Sequence, residues 1–163
     1  MKPKPDFLAI LQTLAKHQVD FIVVGGVGAV LQGAPISTFD LDVVHSRTSD
    51  NIDRLLAALQ ALDARYRTSG ARETAPGRSH LSSPGHQLLM TTFGPLDLLG
   101  AIGKGKGYGE LLGHTVKMKV GAGLRVRVLD LATLIEVKQE VAHDKDRAAL
   151  AVLCRTLEEK SKS

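Results

Sequence analysis

The sequence predicts a mixed fold, α+β or α/β, with helices packed on a mixed, twisted sheet. Three observations carry this. Apolar, partly β-branched runs of strand length recur along the chain. They alternate with segments whose apolar residues return at helical spacing. Two short runs around Gly121 and Gly123 read as a hairpin, which adds an antiparallel element to the sheet. The 163 residues suit one domain, with a core at residues 6–129 and a helical part at residues 130–160.

Each element follows from its own residues. Pro5-Asp6 ahead of FLAILQTLAKH is a capped helix start, with Phe7, Leu8, Ile10, Leu11 and Leu14 on one broad face. Residues 19–24 form a buried strand, broken by Gly25 and Gly26. Residues 27–32 form a short helix that Gly33 ends. Ala34-Pro35 turns the chain into a second strand over residues 38–45. Ser49 caps the helix NIDRLLAALQALDARY, whose stripe is Ile52, Leu55, Leu56, Leu59 and Leu62. Residues 67–85, rich in Gly, Ser, Pro and charge, read as a loop. Residues 86–93 and 96–102 are two strands divided by Gly94-Pro95. Residues 108–112 give one helical turn inside a glycine-dense stretch. Residues 115–120 and 124–129 form the hairpin. Asp130 caps a helix running to about residue 141, and a last helix covers residues 145–158 before a tail, EEKSKS, that is expected to fray.

Composition narrows the function classes. A 44% hydrophobic and 23% charged content is that of a globular protein. Cys154 stands alone, which excludes a disulfide framework and a cysteine-rich zinc site, and it reads as a core residue among Leu150, Val152, Leu153 and Leu157. The opening residues MKPKPDFLAILQTLAKHQ lack the apolar stretch and cleavage site of a signal peptide. No window approaches the roughly eighteen apolar residues of a membrane span. The expectation is therefore a cytoplasmic protein without membrane contact. A formal charge of +4 permits contact with nucleotides or nucleic acid without demanding it.

The stretch FDLDVV is unusual. Residues two apart on a strand share a face, roughly 7 Å apart, so Asp40 and Asp42 stand together. Phe39, Leu41 and Val43 take the other face and are expected in the core. Two carboxylates that close repel unless a cation lies between them or one keeps a proton. Magnesium, a hard ion that prefers oxygen, is the simplest partner. Asp97, in PLDLLGAI, offers a third acid on a strand-like run. If that strand lies beside the first, the three could hold two ions roughly 4 Å apart, which clamp the attacking and leaving oxygens of a phosphoryl transfer. Gly25-Gly26 supplies the complement: glycines let the backbone approach a phosphate closely, and the helix they open presents N–H groups.

This pattern resembles the polymerase-β-type nucleotidyltransferase superfamily, and within it small prokaryotic members related to toxin–antitoxin and abortive-infection nucleotidyltransferases. The resemblance spans residues 6–155 and rests on VVGGVGAVLQG, TFDLDVV, NIDRLLAAL, FGPLDLLGAI, YGELL, VLDLATLIEVK and KDRAAL. It implies a nucleotidyltransferase fold and an enzyme that takes a nucleoside triphosphate with magnesium. Gly25 and Gly26 would contact the triphosphate, with Ser37 and Thr38 donating hydrogen bonds. Asp40, Asp42 and Asp97 would hold two magnesium ions, and Asp97 would help deprotonate an acceptor hydroxyl. Lys138, Lys145 and Asp146 match a K…KD element that serves the nucleotide phosphates. The acceptor could be a tRNA or other RNA, a protein or a small molecule, and an antitoxin-like partner is implied. Relatives often carry an arginine where Ile36 stands in PIST. Either Lys104, Lys106 or Arg47 then takes its place, or nucleotide binding weakens. The alternative is a catalytically degenerate module that binds nucleotide, RNA or a partner protein.

Other motifs fall short. Gly26-Val27-Gly28 opens a GxGxxG pattern, but Leu31 sits where its last glycine belongs. GAIGKGK over residues 100–106 matches a phosphate-loop start, but Gly107 replaces the hydroxyl residue that would hold magnesium. The six histidines show no metal-ligand spacing. Tyr108 reads as a packing residue or a surface for a base.

Overall fold

The computed structural model describes residues 4–67, 74–121, 123–140 and 147–162. Among these, seven strands form one mixed sheet and seven α-helices pack against it. The order along the chain is α1 (Phe7–Lys16), β1 (Phe21–Val24), α2 (Gly25–Leu31), β2 (Leu41–His45), α3 (Ser49–Ala61) and β3 (Arg65–Tyr66). There follow α4 (Arg78–Ser82), β4 (His86–Thr91), β5 (Gly94–Leu99), α5 (Tyr108–Leu111), β6 (Thr115–Val120), β7 (Leu124–Leu129), α6 (Leu131–Glu140) and α7 (Arg147–Ser161). Across the sheet the strands run β3-β4-β5-β2-β1-β7-β6. The β2–β5 and β1–β7 pairs are parallel, and the other neighbours are antiparallel.

Strand alternation builds two cores from one sheet. On one face Val23, Leu41, Val43, Leu96, Leu98 and Val128 meet Ile10, Leu11 and Leu14 of α1 and Ile52, Leu55 and Leu59 of α3. On the other, Ile22, Val24, Val44, Leu99 and Leu129 meet Leu131, Leu134 and Ile135 of α6 and Leu153 of α7. Cys154 packs against this second cluster, as do Ile36 and Tyr108. The helix starts follow capping chemistry: the Asp6 carboxylate accepts from the amide of Ala9 at 3.0 Å, and Asp130 accepts from Thr133 at 2.8 Å. No helix among the described residues is long and apolar enough to cross a membrane.

Several boundaries differ from the sequence reading. β2 begins at Leu41, not at residue 38, because its neighbours give out there. β1 turns into α2 at Gly25, and the next partner on β5 would be Pro95, which has no N–H to give. Phe39, expected in the core, lies ahead of the strand and is 77% exposed. Thr48, not Ser49, caps α3: its hydroxyl accepts from the Asn51 amide at 3.4 Å. The segment read as a loop holds α4, anchored by fully buried Leu81, and β3 takes the last two residues of the stretch read as helix, which ends at Ala61 instead. Two and five residues are too few to show a period. The last helix continues through the expected fraying tail to Ser161.

Candidate active site

The ends of β1, β2 and β5 meet at one place. Val24 pairs with Asp42 across β1–β2, and Asp42 pairs with Asp97 across β2–β5. Paired residues project from the same face of a sheet, so the Asp42 and Asp97 carboxylates stand side by side. Asp40, two residues earlier, returns to that face. Oxygens of the three acids lie within 4.8 Å of one another. Asp97 is buried, and Asp40 and Asp42 are half-buried.

So many acids with little solvent change the acidity of the central one. The Asp42 carboxyl is pushed up from 3.8 to about 7, first by burial, then by the charge of Asp97 and a hydrogen bond with it, and by Asp40. Lys138 pulls the other way, which places this α6 lysine within electrostatic reach of the acids.

A second cation approaches from β3. Arg67 Nη2 lies 2.6 Å from Asp97 Oδ1, while Nη1 donates to the Leu89 carbonyl at 2.7 Å. By direction, however, Asp97 Oδ1 has no hydrogen-bond partner. The distance and the direction describe one contact differently. An ion pair requires proximity more than alignment, so Arg67 balances charge while a buried oxygen keeps an unshared lone pair.

The glycine bend presses against these acids. Gly25 adopts φ +67°, and a side chain there would run into the Asp42 carboxylate. A side chain on Gly26 would come 2.7 Å from Thr38 Oγ1. Thr38 in turn donates to the Asp40 carbonyl at 3.1 Å and pins the approach to β2. Ser37 is exposed beside it. Lys145 and Asp146 lie outside the described residues.

The donors are all carboxylate oxygens, the buried Asp97 Oδ1 is not fully satisfied, and burial together with the neighbouring acids disfavours the charged form of Asp42. Each is a deficit of positive charge that a hard divalent cation relieves. The residues therefore fit magnesium.

No family model matches the sequence, and neither does any curated protein. Solved structures do. The lincosamide antibiotic adenylyltransferase LnuA, with lincomycin bound, is similar at TM-score 0.61 and 12% identity over 90% of this chain and 93% of its own. The antibiotic-resistance factor ANT(2'')-Ia is similar at TM-score 0.60 and 16% identity, over 93% of this chain and 82% of its own. TM1012 of Thermotoga maritima, provisionally named a nucleotidyltransferase, is similar at TM-score 0.57 and 15% identity, over 94% and 91%.

The chain has the nucleotidyltransferase fold.

Within this nucleotidyltransferase fold, two of the residues offered in place of an arginine at position 36, Lys106 and Arg47, have side-chain partners elsewhere. Lys106 is held by Glu140 at 2.6 Å and by Glu136 at 3.4 Å. Lys104 donates its backbone amide to Glu140 at 2.9 Å. Arg47 lies past the far end of β2 and reaches the Ser82 carbonyl at 3.4 Å. Arg67 is the residue that sequence reasoning missed. Its position follows from β3, whose two residues carry no readable pattern.

Proposed function

We propose that this chain is a magnesium-dependent nucleotidyltransferase that moves a nucleoside monophosphate from a nucleoside triphosphate to an acceptor hydroxyl. The observation that carries the reading is the set of three carboxylates within 4.8 Å, seated against a glycine bend. Asp40, Asp42 and Asp97 hold the metal. When bound, magnesium would neutralise phosphate charge and lower the pKa of the acceptor hydroxyl. Gly25 and Gly26, with Ser37 and Thr38 beside them, receive the triphosphate. Lys138 balances its charge from α6, with Lys145 assigned to the same role and Asp146 assigned to orienting a basic side chain. Asp97 takes the acceptor proton. The acceptor oxygen bonds to the α-phosphorus as the bond to the bridging oxygen breaks and pyrophosphate leaves.

The fold supports the reading by precedent: LnuA is an adenylyltransferase of lincosamide antibiotics, and ANT(2'')-Ia has been seen with adenylyl-2''-tobramycin. The resemblance in sequence extends the proposal to a single-domain cytoplasmic enzyme paired with an antitoxin-like partner. The test is transfer itself. Each labelled triphosphate is incubated with magnesium, the protein and a panel of RNA, protein and antibiotic acceptors. Label should move with the wild type and not with Asp40→Ala/Asp42→Ala.

One observation favours a second reading. Ile36 packs into the second core rather than offering a charge to the phosphates, which suits a degenerate module that binds without catalysis. Triphosphate uptake with no label transfer to any acceptor would select it.

A further inference from the structure

We propose that the β6–β7 hairpin docks the phosphate backbone of an RNA, and that this RNA is the acceptor. The inference rests on the nucleotidyltransferase reading for the second half of that statement and on the hairpin alone for the first.

Lys117 pairs with Arg127, and Lys119 pairs with Arg125. Paired and alternate residues share a face, so the four cations form one ribbon. Lys117, Lys119 and Arg125 are exposed, and Arg127 is half-buried. None of the four forms an ion pair among the described residues. Asp20, which lines a depression beside them, is ion-paired with Arg54 at 3.5 Å. Like charges placed directly opposite across a ladder destabilise it. The whole chain carries 21 Lys and Arg against 17 Asp and Glu, a net of +4, so these four side chains equal its entire excess of positive charge.

Lysine on an edge strand has an ordinary explanation, since it blocks pairing with other chains. That accounts for Lys117 and Lys119 on β6. It does not extend to Arg127, because β7 lies between β6 and β1, with Val128 paired to Val23 beside it. Arginine there adds to the repulsion on an inner strand.

The occupant follows from charge and chemistry. The two cation pairs are about 7 Å apart along the strand, a spacing comparable to successive phosphates of a nucleic-acid strand. Tyr108 stands beside the ribbon and helps line a depression of about 340 Å³ with Lys117, Arg125, Arg127 and Asp20. A ring beside cations suits a base beside its phosphate. On the hairpin itself the exposed apolar residue, Val116, alternates to the side opposite the cations.

The ribbon also shares a sheet face with the acids. Leu129 continues its parity into the core that Val24 and Val44 join, and Val44 shares its parity with Asp42. Strand spacing and rise place the cations about 10–20 Å from Asp42, within reach of a few nucleotides. RNA is preferred to DNA because its 3′ end offers two hydroxyls to the transfer.

The probe is a fluorescein-labelled hairpin RNA with a single-stranded 3′ tail. Its anisotropy is followed against protein at several KCl concentrations, in EDTA and without triphosphate, so that metal chemistry plays no part. The variants are Lys117→Gln/Arg127→Gln, Lys119→Gln/Arg125→Gln and the fourfold combination. Wild type should bind with a salt dependence that the fourfold variant lowers by about 2.8 in log–log slope, at about 0.7 per cation, with affinity down at least about tenfold. Melting by circular dichroism should hold or rise in the variants. Asp40→Asn/Asp42→Asn should bind the RNA as wild type does. The docking inference is overturned if wild type fails to bind, if the variants bind equally, or if phosphatidylserine vesicles, polyglutamate or DNA of the same sequence compete as well as RNA. A separate calorimetric titration with magnesium and triphosphate tests the acid site, and its outcome does not depend on the ribbon.

Discussion

The acid cluster predicts an inverted pH dependence of stability, which Asp42→Asn isolates. Asp42 titrates at about 7 in the folded chain against an ordinary 3.8. An acid raised on folding binds its proton more tightly in the folded state. Its contribution to stability is therefore greatest below pH 3.8 and is lost as pH climbs towards 7. At 1.36 kcal/mol per pH unit the full span amounts to about 4 kcal/mol. Asp42 is only half-buried and is hydrogen-bonded to Asp97, so about 2 kcal/mol is the working figure. Urea unfolding in EDTA, repeated from about pH 4 to pH 8 on wild type and Asp42→Asn, reads it directly. The two should coincide near pH 4, and the variant should be more stable by about 2 kcal/mol near pH 8. Magnesium should close the gap at the upper end by stabilising the ionised wild type. Curves that stay parallel across the range would refute the electrostatic account of the cluster.

Three other changes have outcomes set by local geometry. Gly25→Ala combines a left-handed backbone with a side chain aimed at Asp42. It should lower stability by about 1–2 kcal/mol in thermal melts and abolish triphosphate uptake in calorimetry. Arg67→Gln removes the ion pair at Asp97, both partners of which are largely buried. It should destabilise the metal-free chain by about 2–3 kcal/mol, yet tighten magnesium binding several-fold, because the cation no longer competes for Oδ1; looser binding would contradict that competition. Asn51→Ala strips from a fully buried side chain its contacts with the Asp20 amide at 2.7 Å and the Ser46 carbonyl at 2.7 Å. A loss of about 2–4 kcal/mol is expected, measured by urea unfolding.

What was legible in the sequence is what alternation encodes. PLDLL alone put Asp97 on a strand with its leucines turned inward, and DLDVV did the same for Asp42. Their meeting required only that the two strands be neighbours, and the register then set Asp42 opposite Asp97. The hairpin at residues 115–129 read correctly because both strands alternate cleanly. Phe39 misled because alternation was carried past the end of the strand, and where a strand ends depends on its partners. Arg67 was invisible for a related reason. A two-residue strand has no period, and its place beside β4 is decided by pairing across 22 residues with Leu89, not by neighbours in sequence. Ile36 was seen as a departure, but its burial in the second core could not be read from PIST.

The chain tolerates a repelling cluster because the strands that carry it also carry its support. Leu41 and Val43 flank Asp42, and Leu96 and Leu98 flank Asp97, all fully buried on the opposite face against α1 and α3. At about 2 kcal/mol each, these four side chains supply about 8 kcal/mol, an upper figure because unfolded chains are partly collapsed. That exceeds the roughly 4 kcal/mol at stake in ionising Asp42. The period of two thus separates the tasks: one set of alternate positions on each strand holds it in register, and the other set is left to hold charge at a fixed spacing. A one-residue slip of β5 against β2 would bring Leu96 or Leu98 opposite Asp42, expose the leucines and dissolve the site at once. The acids can remain close only because the apolar face behind them makes every other register worse.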